Sequence, residues 1–102
     1  MSIKIGDYDF EGPFLTTNSI SDVSGVYSIL CYKDSLYSVI DIGESATLKT
    51  RLDTHDRRPC WKNECKGTIY FSVLYTPYQQ QAGRMEIEQE LRDHYNPPCG
   101  KR

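Results

Sequence analysis

No apolar run in this chain approaches the ~20 residues that a membrane-spanning helix requires. The opening stretch, MSIKIGDYDFEG, also lacks the apolar core of a signal peptide. No membrane partner is therefore expected, and the expected location is cytoplasmic. An excess of positive charge is missing too. The 102 residues carry 12 Lys and Arg against 14 Asp and Glu, a net charge of −2. That argues mildly against a nucleic-acid partner, because phosphate binding usually draws on surplus Lys and Arg. Cysteine is sparse, at four residues. Without an export signal these are expected to be reduced thiols rather than a disulfide framework. Disorder is excluded by a hydrophobic share of 38% beside 25% charged residues. The length fits one domain.

The charge is unevenly placed. Residues 1–44 sum to −5 and residues 45–102 to +3. Between Lys49 and Lys66 lie six cations, Lys49, Arg51, Arg57, Arg58, Lys62 and Lys66, against Asp53, Asp56 and Glu64. A local basic surface is compatible with the acidic total.

Ile3 and Ile5 have the opposite parity to Tyr8 and Phe10, so a pleated strand cannot keep all four on one face. The backbone must turn or bulge near Gly6-Asp7, giving two short strands or one bulged strand. Asp7, Asp9 and Glu11 form a carboxylate row that reads as a solvated strand face. Gly12-Pro13 is expected to end this segment, and the Ser, Thr, Asn and Asp cluster from Thr16 to Ser24 reads as a loop.

Two runs rich in β-branched and aromatic residues follow, Gly25 to Tyr32 and Leu36 to Ile42, separated by Lys33-Asp34-Ser35. They predict a hairpin. Gly43-Glu44-Ser45 then hands over to a helical period in which Leu48, Arg51, Leu52 and His55 share one face. An arginine and a histidine beside two leucines point to an anion-handling site. Asp56 to Cys60 is expected to stop this helix, since Pro59 disfavours helical geometry at Arg58. Thr68 to Tyr75 predicts a buried strand, and Ala82 to Tyr95 a helix with Ile87, Leu91 and Tyr95 spaced by four. Arg84 and Glu88 border that stripe, and a carboxylate there needs a cation or a metal as partner. Asn96-Pro97-Pro98 ends the helix, and residues 99–102 form a tail.

Taken together, Gly25-Val26-Tyr27, Asp41-Ile42-Gly43, Arg51 with His55, and Glu88 resemble the GIY-YIG nuclease superfamily over roughly residues 24–100. The spacings carry the resemblance: ten residues from Asp41 to Arg51, four from Arg51 to His55, and nine from Glu88 to Pro97. It implies an α+β fold, a small three-stranded antiparallel sheet flanked by helices in the order β-β-α-β-α. The chain is then one domain, 1–102, in which residues 1–23 add an N-terminal strand or hairpin packed on the core. The implied activity is endonucleolytic hydrolysis of DNA with a single Mg²⁺ or Mn²⁺ ion. Carried over by position, Tyr27 takes a base or relay role, Arg51 binds phosphate, His55 assists it, and Glu88 holds the metal. The chemistry suits these residue types, since an arginine fork grips phosphate and a carboxylate holds a hard cation.

The chain departs from the family at two places. Asp41 stands where the second motif begins with tyrosine, and Gly100 stands three residues after Pro97 where an asparagine is usual. Asp41 is then a second metal ligand, a partner for Arg51, or the mark of a disabled site. The alternative function is accordingly a catalytically impaired binding or interaction module. So small a domain offers little surface for a duplex, which makes a protein partner or a homodimer an expected aid. Cys60, Cys65, His94 and Cys99 have spacings at the edge of the zinc range, against ordinary thiols. Trp61, the only tryptophan, reads as a core or interface seal, or as a platform for a base.

Overall fold

The computed structural model describes residues 1–100, so Lys101 and Arg102 of the expected tail lie outside the described residues. The strands are β1 (Ser2–Ile5), β2 (Tyr8–Phe14), β3 (Gly25–Lys33), β4 (Leu36–Ser45) and β5 (Thr68–Tyr75). Helices α1 (Leu48–Asp53) and α2 (Arg58–Glu64) lie between β4 and β5, and α3 (Gln81–Tyr95) follows β5.

The fold is α+β, but the sheet has five strands in the order β1-β2-β5-β3-β4, not three. Every neighbouring pair is antiparallel. The chain does turn at Gly6-Asp7, as the parity switch requires, and Ile5 pairs with Tyr8 across the turn. Gly12-Pro13 does not end β2. The register shifts between Glu11 and Phe14, and the strand goes on to pair with β5. Such an irregularity is where a proline is tolerated inside a sheet. The N-terminal hairpin thereby extends the sheet, and Tyr95 Oη fastens it to α3 by accepting from the Gly6 N–H at 2.7 Å.

Strand alternation splits the interior into two cores. On one face Tyr27, Ile29 and Cys31 of β3 meet Leu48 and Leu52 of α1 and Trp61 of α2. On the other, Val26 and Leu30 meet Phe10, Ile42 and the α3 residues Ile87 and Leu91. Leu48 and Leu52 are fully buried. Each stabilises the packing of a helix of only six residues by about 1.5–3 kcal/mol. A helix that short does not persist on propensity alone.

The helical period read from Leu48 to His55 breaks early. Helix α1 ends at Asp53, where Thr54 donates both its N–H and its hydroxyl to the Thr50 carbonyl. Pro59 does not merely stop a helix. It sits in the first turn of a second one, α2, where its missing N–H costs nothing. Helix α3 ends at Asn96, whose left-handed φ of 47° caps it before the two prolines. The cysteines are also corrected: Cys31 is bonded to Cys65 and Cys60 to Cys99, and none is a free thiol among the described residues. Sequence spacing alone does not reveal that the fold brings these pairs together.

Candidate active site

Tyr27 anchors the site. It lies opposite Gly43 in the β3–β4 register, so the two motifs of the hairpin face each other across the strands. The phenol ring crosses directly over Gly43, and a Cβ at that position would be driven into the hydroxyl and the ring carbons. Glycine is needed there for the ring to lie down on the sheet. The tyrosine is 1% exposed, and burial pushes its hydroxyl up to about 12. Neighbouring charges act in both directions: Arg57 and Arg51 favour the ionised form, while Asp41 and Glu88 oppose it.

His55 meets that hydroxyl from the junction between α1 and α2. Its Nε2 is hydrogen-bonded to Tyr27 Oη, and its ring packs edge-on to the phenol at 5.3 Å between centroids. Nδ1 accepts from the Arg57 backbone N–H at 3.0 Å. An accepting Nδ1 places the proton of the neutral ring on Nε2, which therefore donates to Tyr27. Arg57 Nη2 donates to the same phenolic oxygen at 3.0 Å. Tyr27 thus receives two N–H bonds, and its own O–H is left to donate to a third group.

Burial, followed by the charges of Arg51 and Arg57, pushes His55 down to about 4. The unfolded imidazole titrates near 6.5, so in the interval the unfolded chain binds a proton that the folded chain refuses. Stability from this group is fully present above pH 6.5 and is lost as pH falls through about 4. The expected loss is about 2–3 kcal/mol. Urea unfolding at pH 7 and pH 4.5 checks it against His55→Gln, whose pH dependence should be flatter by that amount. Equal slopes in the two proteins would remove His55 as the cause.

Asp41 is fully buried on the same face of the sheet, opposite Ile29. It accepts from Arg57 Nε at 2.7 Å, Arg92 Nη2 at 2.8 Å, the Trp61 indole N–H at 2.7 Å and the Ile42 backbone N–H at 2.8 Å. Arg92 also donates to the Ile42 carbonyl. The carboxylate does not pair with Arg51. It is a fully satisfied buried anion that joins β4 to α2 and α3, which is the condition under which burying a charge is tolerated.

Arg51 points elsewhere, its Nη2 3.0 Å from the exposed carboxylate of Asp56. Its charge nevertheless reaches both Tyr27 and His55. Glu88 is buried on α3 and accepts from Arg92 Nε at 3.4 Å. Arg84, expected as its neighbour at helical spacing, instead pairs with Glu44 of β4 at 2.8 Å. Among the described residues no three His, Cys, Asp or Glu side chains gather as a metal-holding group. The sulfurs of the suggested zinc site are all in disulfides and offer no thiolate, and His94 packs against Tyr95.

The structure therefore brings Tyr27, His55 and Asp41 into one cluster, with Arg51 at its rim and Glu88 within electrostatic range. Sequence reasoning missed Arg57, Arg92 and the Trp61 indole as members. A signal was present: Asp41 stands between Ile40 and Ile42 in a buried run, and such a carboxylate demands cations. The run from Lys49 to Lys66 contains one of them. Trp61 does seal the core, at 1% exposure, with its ring 4.7 Å from that of His55. No helix among the described residues is long and apolar enough to cross a membrane. In comparison with known proteins, no family model, no curated protein and no solved structure matches this chain.

Proposed function

We propose that the chain is a GIY-YIG-type endonuclease-like domain that hydrolyses DNA phosphodiester bonds with the aid of Mg²⁺ or Mn²⁺. The observation that carries the reading is the Tyr27 hydroxyl, held between His55 and Arg57 and influenced by Arg51 and Glu88. Two N–H donors on the phenolic oxygen offset part of the cost of removing its proton, which a base or relay role requires. Arg51 is the arginine suited to phosphate. Its bond to the exposed Asp56 is worth about 0–1 kcal/mol and is readily given up. Arg57 and Arg92 each pair with Asp41 and so also hold the site together.

Glu88 would hold the divalent ion. A single buried carboxylate fits a hard cation that completes its shell with water and substrate oxygens. When bound, such an ion supplies positive charge against the phosphate. The compartment proposed is cytoplasmic, with DNA as the partner and a protein partner or a second copy of the chain as an aid to holding it.

The test is cleavage of single-stranded, duplex, branched and flapped DNA in Mg²⁺ or Mn²⁺. Arg51→Ala and Glu88→Ala are each expected to lower the rate by about 10²-fold or more. Cleavage that persists in both variants belongs to a contaminant. One observation favours a second reading, an interaction module without turnover. Asp41 supplies no phenol at its position and is saturated by five N–H donors from four residues. That reading predicts no cleavage of any substrate and partner binding that is indifferent to Glu88→Ala.

A further inference from the structure

The residues after α3 lie back across the cluster. The Cys99 N–H donates to the Ile40 carbonyl at 3.0 Å, and Arg92 Nη1 donates to the Cys99 carbonyl at 3.2 Å. Gly100, with φ of +75°, rests against both guanidiniums that hold Asp41. A Cβ there would come within 2.5 Å of Arg92 Nη2 and 3.0 Å of Arg57 Cζ. Cys99 is bonded to Cys60 on α2, so the segment is tied covalently to the other wall of the site. Cys99 is fully buried but Cys60 is only partly so, whereas Cys31 and Cys65 are both buried. Cys60 is thus the most exposed of the four cysteines, which makes the 60–99 bond the expected first target of a reductant.

We propose that the Cys60–Cys99 bond is a thiol-controlled latch: it holds residues 96–100 over Arg57 and Arg92, and its reduction opens that side of the site to a phosphate group. A dithiol supplies the chemistry. Its thiolate attacks Cys60 Sγ and breaks the Sγ–Sγ bond, and its second thiol resolves the mixed disulfide. The dithiol ends as a disulfide, and Cys60 and Cys99 end as two thiols with the two electrons and two protons it gave up. The Cys99 backbone bonds left behind do not by themselves offset the entropy of ordering the segment. The phosphate part rests on the function proposed above, and the latch part does not.

The experiment uses the full chain, isotopically labelled, before and after dithiothreitol, with alkylation and mass measurement to identify which bond opened. Amide exchange at Cys99 is expected to rise by about 100-fold on reduction, while β3 and β5 amides stay within about threefold. Cys60→Ser, which cannot form the bond, is expected to exchange fast at Cys99 without reductant. Unchanged exchange at Cys99 in both cases overturns the latch. So does parallel loss of protection in β3 and β5, because reduction then unfolds the chain instead of freeing a segment. Inorganic phosphate is expected to shift the Arg57 and Arg92 Nε–H resonances in the reduced form only. Equal shifts in both forms, or none in the reduced form, overturn the gating. DNA cleavage enters neither readout, so a failure of the nuclease reading is distinguishable from a failure of the latch.

Discussion

Asp41→Ala is expected to destabilise the fold by about 3–5 kcal/mol, which for a domain of this size approaches its whole stability. The substitution deletes one carboxylate but strands five N–H donors on four residues. Arg57 and Arg92 lose their shared counter-charge, and the Trp61 indole N–H, in a fully buried ring, loses its acceptor. Asp41→Asn keeps the shape and one acceptor oxygen while removing the charge, so its cost should fall between wild type and Asp41→Ala. Urea denaturation with oxidised protein measures both. A loss below about 1 kcal/mol for Asp41→Ala would mean that the arginines turn to solvent and that the carboxylate is not the centre of the cluster.

Gly43→Ala is the second large effect, expected at about 3 kcal/mol or more. Overpacking a core by a methyl group costs ~1–3 kcal/mol when neighbours can yield. Here the neighbour is a rigid ring, 1% exposed, whose hydroxyl is held by His55 and Arg57. Moving it breaks both bonds. The mechanism is tested by a double-mutant cycle: in a Tyr27→Ala background the cost of Gly43→Ala should drop below about 1 kcal/mol, giving a coupling of about 2 kcal/mol or more. Additive costs would show that the methyl group acts on the strand backbone and not on the ring.

The local signals in the sequence are strong where one physical rule governs them. Alternation and β-branching locate β3, β4 and β5, and the parity switch at Gly6-Asp7 locates the first turn. The number of strands in the sheet is not legible in the same way. It depends on β2 docking beside β5 across an irregular stretch at Gly12-Pro13, and that pairing is non-local. Helical periodicity at Leu48, Arg51, Leu52 and His55 identifies the correct buried leucines but runs past the end of α1 at Asp53. Periodicity records which residues face inward, and His55 faces inward from a junction as well as it would from a helix. For the candidate site, Tyr27 and His55 are brought together by β3 and the junction between α1 and α2. The buried Asp41 signals a need for cations, but which ones answer it is not legible, because Arg57, Arg92 and Trp61 reach it from elements whose docking no single stretch encodes. The expectation of reduced thiols fails for a related reason: pairing is decided by geometry, which brings Cys31 to Cys65 and Cys60 to Cys99.

The two disulfides interleave along the chain, since Cys60 lies inside the loop closed by Cys31 and Cys65, and Cys65 lies inside the loop closed by Cys60 and Cys99. The two loops overlap only from Cys60 to Cys65, most of α2, and together they enclose every peptide bond between Cys31 and Cys99. A single backbone cut anywhere in that span leaves both pieces joined through at least one sulfur bridge. The oxidised molecule is therefore a covalently closed figure over most of its length, in which Tyr27 alone among the proposed site residues lies outside the enclosed segment.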